Sequence, residues 1–130
     1  MIDSSGACGG GYFAAGNLLR PAETAGFCWA EGGRVAGAIR AYLDAAPLPA
    51  PRPVRLHHPA LAWVVPQSVT APAAHERLQL QVNRPVIGRL SLRVDGAELA
   101  SKTITTRPMR RLHLPIPAGT GPIDIHLDET

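Results

Sequence analysis

The stretch Tyr12-Phe13-Ala14-Ala15-Gly16-Asn17 decides how the first third of this 130-residue chain folds. It is a short apolar run that ends in a glycine and a hydrogen-bonding side chain. An apolar run without alternation is typical of a strand buried on both faces, as in a parallel sheet. Because the proline-led segment Arg20-Pro21 follows, the predicted order is strand, tight turn and helix N-terminus. Such a junction presents backbone amides and a helix dipole to an anion or to the polar edge of a cofactor.

A helical pattern runs from Glu23 to Leu43. The interior glycines Gly32, Gly33 and Gly37 each cost about 1 kcal/mol relative to alanine in a helix. We therefore expect this helix to approach a neighbouring backbone closely, as helices on sheets do. Glu31 lies off the predicted buried face. That face follows the spacing i, i+4, i+7 and i+8 and consists of Cys28, Gly32, Val35, Ala36, Ile39 and Leu43.

Residues 47–53 are rich in proline and predict an extended, stiff linker between a first region, 1–46, and a second region, 54–130. In the second region apolar and polar residues alternate with the period of a strand, and Asp95-Gly96 is a strong hairpin signal. About six short strands indicate an antiparallel β-sandwich, so the predicted fold class of the whole chain is α+β. The predicted strands lie near residues 61–65, 78–82, 90–94, 102–106, 112–116 and 123–127.

Composition excludes several classes of protein. The net charge is +3, the arginines are scattered and aromatic residues make up 5% of the chain, which does not fit a clustered nucleic-acid-binding face. An apolar run of about twenty residues, the length needed to span a membrane, is missing. The two cysteines, Cys8 and Cys28, form no zinc-binding or redox Cys-x-x-Cys motif. A disulfide between them stays open, but reduced thiols and a cytoplasmic location are the prediction.

The histidines suggest no metal site. His57 and His58 are adjacent, and adjacent side chains of an extended chain point to opposite sides, so the pair does not easily share one ion. His113 and His126 lie on the polar phase of their strands and would meet across a sheet if those strands paired. We expect these histidines to be surface residues.

The segment from Gly11 to Ala41 resembles the second flavin-binding motif of the FAD-dependent pyridine nucleotide-disulphide oxidoreductases. The resemblance rests on Gly-Tyr-Phe-Ala-Ala-Gly-Asn, on the following Leu-Leu-Arg-Pro-Ala-Glu-Thr-Ala-Gly, and on Trp29, Glu31 and Arg34. In that family a strand ending in Ala-x-Gly-Asp precedes a helix whose first turn points amides at the flavin. Asn17 stands where the family has Asp, and an amide still accepts and donates hydrogen bonds.

The resemblance implies a set of cofactor-contacting residues. Gly16 and Asn17 would meet the ribityl-phosphate region of FAD, Thr24 and Ala25 would face the flavin, and Glu23 would sit at the same helix entrance. The resemblance assigns no catalytic acid, base, nucleophile or metal ligand to this chain. The family's first glycine fingerprint, its NAD(P)H-binding domain and its redox Cys-x-x-Cys are missing from the sequence.

The function that the resemblance implies is that of a flavoprotein oxidoreductase, in which hydride passes from NAD(P)H to FAD and then to an acceptor. The chain alone is expected to be inactive, because one strand and one helix cannot enclose a large cofactor. Three hypotheses stay open: a C-terminal fragment of such an enzyme, a small subunit that completes the FAD site of a separate chain, and a non-enzymatic β-sandwich binding module with an N-terminal docking helix. Trp29 is expected to pack at a domain interface.

Overall fold

The computed structural model describes residues 1–20, 24–47, 50–70 and 77–130. The chain forms two compact units, one comprising Met1–Pro51 and Val65–Glu76 and the other Arg52–Val64 and Arg77–Thr130. Strands predominate and are accompanied by one α-helix among the described residues, so the predicted α+β class is confirmed.

The first unit contains a β-ribbon, a short 3-10 helix over Gly16–Leu18, the helix α1 and a two-residue strand. The second unit contains the remaining strands. In chain order the elements of the described residues are β1 (Ala7–Gly9), β2 (Tyr12–Phe13), α1 (Ala25–Leu43), β3 (Arg52–Leu56), β4 (Leu61–Val65), β5 (Ser68–Val69), β6 (Arg77–Val82), β7 (Val86–Val94), β8 (Ala97–Thr106), β9 (Leu112–Pro115) and β10 (Ile123–Glu129).

The order strand, turn and helix is present, but the strand differs from the expected one. β2 pairs antiparallel with β1, and Tyr12 is 76% exposed. The chain turns back on itself at Gly10-Gly11, so β2 finds its partner in the preceding residues, which the sequence pattern indicates only as a loop. The expectation of a doubly buried strand in a parallel sheet was therefore wrong.

Helix α1 begins and ends close to the predicted residues. Thr24 caps its N-terminus, with the side-chain oxygen accepting a hydrogen bond from the backbone N–H of Phe27 at 3.4 Å. This cap satisfies one of the amides that a helix start leaves without an intrahelical partner. At the other end Asp44 is the C-cap and Ala45 adopts a left-handed φ of 53°, which stops the helix before Pro47.

The buried face of α1 was predicted only in part, because Val35 is buried as expected but Glu31 is buried as well. Val35 and Glu31 are its buried residues, whereas Ala36 and Ile39 are exposed and Leu43 is 75% exposed. The helical spacing of three and four residues is compatible with a buried face that includes Glu31 and with one that lies beside it. The prediction left Glu31 out of the buried face because its side chain is charged. The partner that makes its burial possible is Arg20, which lies outside the helix.

The helix glycines do not mark a close backbone approach. A Cβ atom added at Gly32, Gly33 or Gly37 would meet nothing within 4 Å among the atoms that the structure describes. These positions face open space, so the expectation that they permit tight packing against a neighbouring backbone was wrong.

The first unit is not one continuous segment of sequence. The N–H of Ile2 donates to Gln67 Oε1 at 3.0 Å, and the Gln67 N–H returns a bond to the Ile2 carbonyl at 2.8 Å. The buried Ser4 hydroxyl donates to the Thr70 carbonyl at 2.8 Å. These bonds hold a segment that begins at Val65, beyond the proline-rich linker, in the first unit. The predicted second region, 54–130, included this segment.

The second unit contains two sheets, with strand orders β3-β10-β7-β8 and β4-β6-β9. All six predicted strands are present. The Asp95-Gly96 hairpin is also confirmed, since both residues have positive φ (51° and 81°) and join β7 to β8 in the manner of a type I′ turn. The larger sheet is mixed rather than purely antiparallel, because β3 runs parallel to β10. The prediction of a purely antiparallel arrangement was therefore wrong. The period of a strand carries no information about the direction in which a partner distant in sequence runs.

Each sheet of the second unit buries the apolar side of its alternation, and the polar Gln79 and Ser91 are buried as well. Along β6, β7 and β10 the apolar members of the alternation are buried, as their period predicts. Burial of such side chains is the main stabilising contribution to a fold of this size. The buried apolar residues of these strands are Leu78, Leu80, Val82, Val86, Leu90, Leu92, Val94, Ile123, Ile125 and Leu127.

Candidate functional site

The residues implied to contact a cofactor flank one turn of the first unit. Gly16 and Asn17 lie in the 3-10 helix, Thr24 caps α1 and Ala25 is its first residue. Glu23 lies outside the described residues. Asn17, Thr24 and Ala25 are exposed, whereas Gly16 is buried. The structure therefore shows accessible polar and backbone groups at the turn and at the helix entrance.

Gly16 shapes the turn rather than presenting its own amide to solvent. Its φ is +70°, and a Cβ atom here would lie 3.3 Å from the Cys28 Sγ atom on α1. Both facts favour glycine, since a side chain would be strained and crowded. The Gly16 N–H donates to the Glu31 carboxylate at 2.5 Å, which ties the turn to the helix.

A buried ion pair completes this connection. Arg20 Nη2 lies 2.6 Å from Glu31 Oε1, and the two side chains are 2% and 0% exposed. The Arg20 guanidinium also lies 5.1 Å from the ring centroid of Phe27 on α1, a cation–π distance. We call Gly16, Arg20 and Glu31 the turn anchor. The turn anchor holds the 3-10 helix, with its exposed Asn17, against the first turns of α1.

Sequence reasoning missed the turn anchor. The available signal was the spacing of Cys28, Glu31, Val35, Ala38 and Tyr42, which describes one face of a helix with a glutamate at its centre. A charged residue at a core position implies a buried partner of opposite charge, and Arg20 is the nearest preceding arginine.

A second face of α1 is apolar and open. We call Trp29, Gly33, Ala36, Arg40 and Leu43 the outer face of α1, because they follow the spacing of one helical stripe. Trp29 is 84% exposed and Leu43 is 75% exposed. In the same unit Leu18 is 82% exposed, next to Asn17. Large apolar side chains on one helix stripe commonly mark a surface that another protein element covers.

The second unit carries a histidine–carboxylate cluster. The rings of His57 and His126 stack with centroids 4.5 Å apart and planes 6° from parallel. His57 Nε2 lies 2.6 Å from Asp124 Oδ1, and His58 Nε2 lies 3.5 Å from Glu129 Oε1. His57 and His58 therefore have different partners, as expected for adjacent residues of an extended chain.

His126 does not pair with His113. Its strand, β10, belongs to the sheet that contains β3, whereas His113 lies on β9 in the other sheet. The strand pairing on which a meeting of these two histidines depended does not form, because periodicity does not determine which strands pair. The stacked pair is also unsuited to share a metal ion, since parallel rings direct their nitrogen lone pairs in parallel. Among the described residues no group of three or more potential metal ligands comes together.

The histidine cluster predicts a pH dependence of stability. Partial burial, and then the proximity of His57 and Arg93, lower the pKa of His126, while Asp124 and Asp128 act in the opposite sense. The unfolded chain therefore takes up a proton at His126 at higher pH than the folded chain does. We expect the free energy of unfolding to be level above about pH 6.5 and to fall as the pH drops below that value.

Thermal unfolding of the full chain between about pH 8 and about pH 5 measures this effect. The variant His126→Gln should show a shallower decrease than the wild type. Ile87→Gln, which changes an exposed residue without a titratable group in the same sheet, is the matched control and should keep the wild-type slope. Equal slopes in all three proteins would contradict the assignment to His126.

In comparisons with known proteins, no family model, no curated protein and no solved structure matches this chain. Within the described part of the chain, no helix has both the length and the apolar character needed to cross a membrane. Cys8 and Cys28 are free thiols, the first exposed and the second half-buried.

Proposed function

We propose that the first unit supplies the second flavin-contacting segment of an FAD-dependent NAD(P)H oxidoreductase, a pyridine nucleotide-disulphide oxidoreductase relative, and that the rest of the FAD-binding domain lies in other residues of the same or a separate polypeptide. The chain would then act as a C-terminal fragment or a small subunit of a cytoplasmic flavoprotein. NAD(P)H would be the co-substrate of the whole enzyme.

The observation that carries the proposal is the outer face of α1. A helix that packs on one side against its own unit and exposes Trp29 and Leu43 on the other has room for a second layer. In the resembled family the corresponding helix covers a nucleotide-binding sheet. A partner sheet on this face would bury the two side chains, and an aromatic side chain buried at an interface is a large contribution to affinity.

The geometry of the turn fits a bound FAD at some of the implied residues. Asn17, Thr24 and Ala25 are exposed at the turn and at the start of α1, where the helix dipole is positive. Gly16 would act through the shape of the turn, because its N–H is held by Glu31. Asn17 would bind a polar group of the cofactor, and the α1 amides would face partial negative charge on the flavin edge.

When bound, FAD supplies the hydride-accepting ring system, and the protein binds and orients it. In this proposal the residues of this chain bind and orient FAD. No described residue near Asn17 is assigned the role of a general acid or base. The turn anchor holds Asn17 and the helix entrance at a constant distance from one another. For the second unit we propose that the two sheets pack face to face as a sandwich, since each buries the apolar side of its alternation.

Co-expression of the full chain with a neighbouring gene product that carries Gly-x-Gly-x-x-Gly tests the proposal. We expect a yellow complex with visible flavin absorbance. Trp29→Glu should weaken the complex by tenfold or more, since about 1.4 kcal/mol suffices for that change. Asn17→Ala should keep the complex and lower its flavin content, whereas Asn17→Asp, the residue that the family has, should retain flavin.

Leu99→Glu is the matched control, because Leu99 is also an exposed apolar residue (54%) but lies in the second unit. It should leave the complex intact. A complex without flavin, or a flavin content that Asn17→Ala does not change, would contradict the cofactor role. The remaining alternative, a non-enzymatic binding module, predicts that no fingerprint-bearing partner assembles with the chain.

A further inference from the structure

The first unit contains a partly open apolar cavity that the flavin proposal does not use. Its volume is about 240 Å³, and it lies between the β1–β2 ribbon and the side of α1 opposite the outer face. Phe13 and Tyr42 stand edge to face in its wall, with ring centroids 5.7 Å apart and planes at 71°. The lining consists of Ala7, Ala38, Ala41, the segment from Gly9 to Phe13, Tyr42 and the hydroxyl-bearing Ser5 and Thr70.

The size and the wall chemistry select the shape of a ligand. Dry apolar cavities of about 150 Å³ are known to hold a single benzene ring, so this larger volume admits two fused rings. α1 contributes Ala38 and Ala41, whose short side chains leave the space open. The Phe13 and Tyr42 rings, which contact each other edge to face, make part of the wall aromatic, and a planar aromatic guest packs well against such rings.

The charge of the lining selects a neutral ligand. None of the described lining residues is an aspartate, glutamate, lysine, arginine or histidine. An ionised guest would lose its hydration without gaining a partner, which is costly in an apolar site. The cavity therefore disfavours carboxylates, phosphates and ammonium groups.

The hydroxyl groups of Ser5 and Thr70 in the lining determine whether a polar group on the ligand should donate or accept a hydrogen bond. Ser5 and Thr70 are 6% and 5% exposed. The Ser5 hydroxyl donates to Asp3 Oδ1 at 2.6 Å, and the Thr70 hydroxyl donates to Asp3 Oδ2 at 3.2 Å. Because the Ser5 hydrogen is directed to the Asp3 carboxylate, the Ser5 oxygen is left to accept. The Thr70 oxygen also lies 3.3 Å from the Ser4 hydroxyl, so Ser5 is the main acceptor that the lining offers. The matching group on a ligand is an N–H or O–H donor.

From these observations we infer that the first unit binds a small neutral aromatic molecule that carries one hydrogen-bond donor, in the cavity between the β1–β2 ribbon and α1. A two-ring heteroaromatic N–H compound such as an indole has the required size, neutrality and donor. The inference does not rest on the flavin proposal, because the lining includes none of Gly16, Asn17, Thr24 and Ala25.

Titration of the isotope-labelled full chain with indole, followed by amide chemical shifts, tests the inference. We expect saturable shifts confined to the segment from Gly9 to Phe13 and to the neighbourhood of Ala38 and Ala41. Indene has the same two-ring shape without the N–H group, and loss of one hydrogen bond should weaken its binding by about threefold to tenfold.

Ala38→Leu fills the cavity and should abolish the saturable shifts. Ala36→Leu is the matched control, because Ala36 is an exposed alanine on the outer face of the same helix, and it should bind indole as the wild type does. Should circular dichroism show that Ala38→Leu is unfolded, Ala41→Leu replaces it, and the indene comparison decides independently of both. Shifts that do not saturate, that centre on Trp29, or that persist in a folded Ala38→Leu protein would overturn the inference.

Discussion

Replacing Glu31 with alanine is expected to destabilise the first unit by about 3–5 kcal/mol. The substitution leaves the Arg20 guanidinium, 2% exposed, without the carboxylate that lies 2.6 Å away. It also removes the acceptor of the Gly16 N–H. Removing one partner of a buried ion pair is among the most costly single changes in a protein. A loss of this size is a large fraction of the 5–15 kcal/mol that ordinarily stabilises a folded chain.

Far-UV circular dichroism measures this loss during urea unfolding, because α1 is the α-helix of the described chain and reports on the first unit. Glu98→Ala is the matched control. It breaks an ion pair with Arg89 that is largely exposed, and exposed pairs contribute little to stability. The expected result is a clear shift of the helix transition for Glu31→Ala and almost none for Glu98→Ala.

The double variant Arg20→Met with Glu31→Leu separates the pair from its single charges. It replaces both ions by apolar side chains of similar size, which is often tolerated where removal of one partner is not. We expect it to be more stable than Glu31→Ala. A double variant that is less stable than the single one would contradict the assignment of the loss to the broken ion pair.

Replacing Ile125 with alanine is expected to destabilise the second unit by about 2–5 kcal/mol. Ile125 is fully buried on β10, where it is opposite Leu92 of β7 on one side and Leu56 of β3 on the other. Truncation removes buried apolar area and leaves a cavity at the centre of the larger sheet. Both terms act in the same direction.

Urea unfolding of the full chain, followed by a strand-sensitive probe, tests this prediction. Ile87→Ala is the control of matched chemistry, because Ile87 lies on β7 in the same sheet but is 58% exposed. Its expected effect is within about 0.5 kcal/mol. A similar cost for both substitutions would contradict the assignment of the buried face.

The strands of the second unit were predictable because their information is local. Leu78, Leu80 and Val82 alternate with polar residues, and that period identifies both the strand and its buried side. Asp95-Gly96 similarly identifies its own turn, since it tolerates the positive φ that a two-residue hairpin needs. Pairing was not predictable, because β3 runs parallel to β10 and each of their three paired positions lies 69 residues apart in the sequence.

The turn and the helix of the first unit were predictable, but the contacts between them were not. The pattern from Tyr12 to Asn17 located the turn, and the helical period located α1 through Leu43. The buried pairing of Arg20 with Glu31 lay beyond the pattern, because hydrophobic periodicity assigns a glutamate to solvent. The aromatic cavity was equally hidden, since its lining combines the ribbon, one side of α1 and Thr70.

The sequence by itself determined the α+β class, the extent of α1, the hairpin at Asp95-Gly96 and the buried phase of the long strands, because each depends on the conformational preferences and the periodicity of neighbouring residues. Tertiary structure alone decided which face of α1 is buried, the direction in which β3 and β10 pair, and the formation of the cavity. These features depend on contacts between residues far apart in the chain, and the free energy of such contacts exists only once the elements have come together.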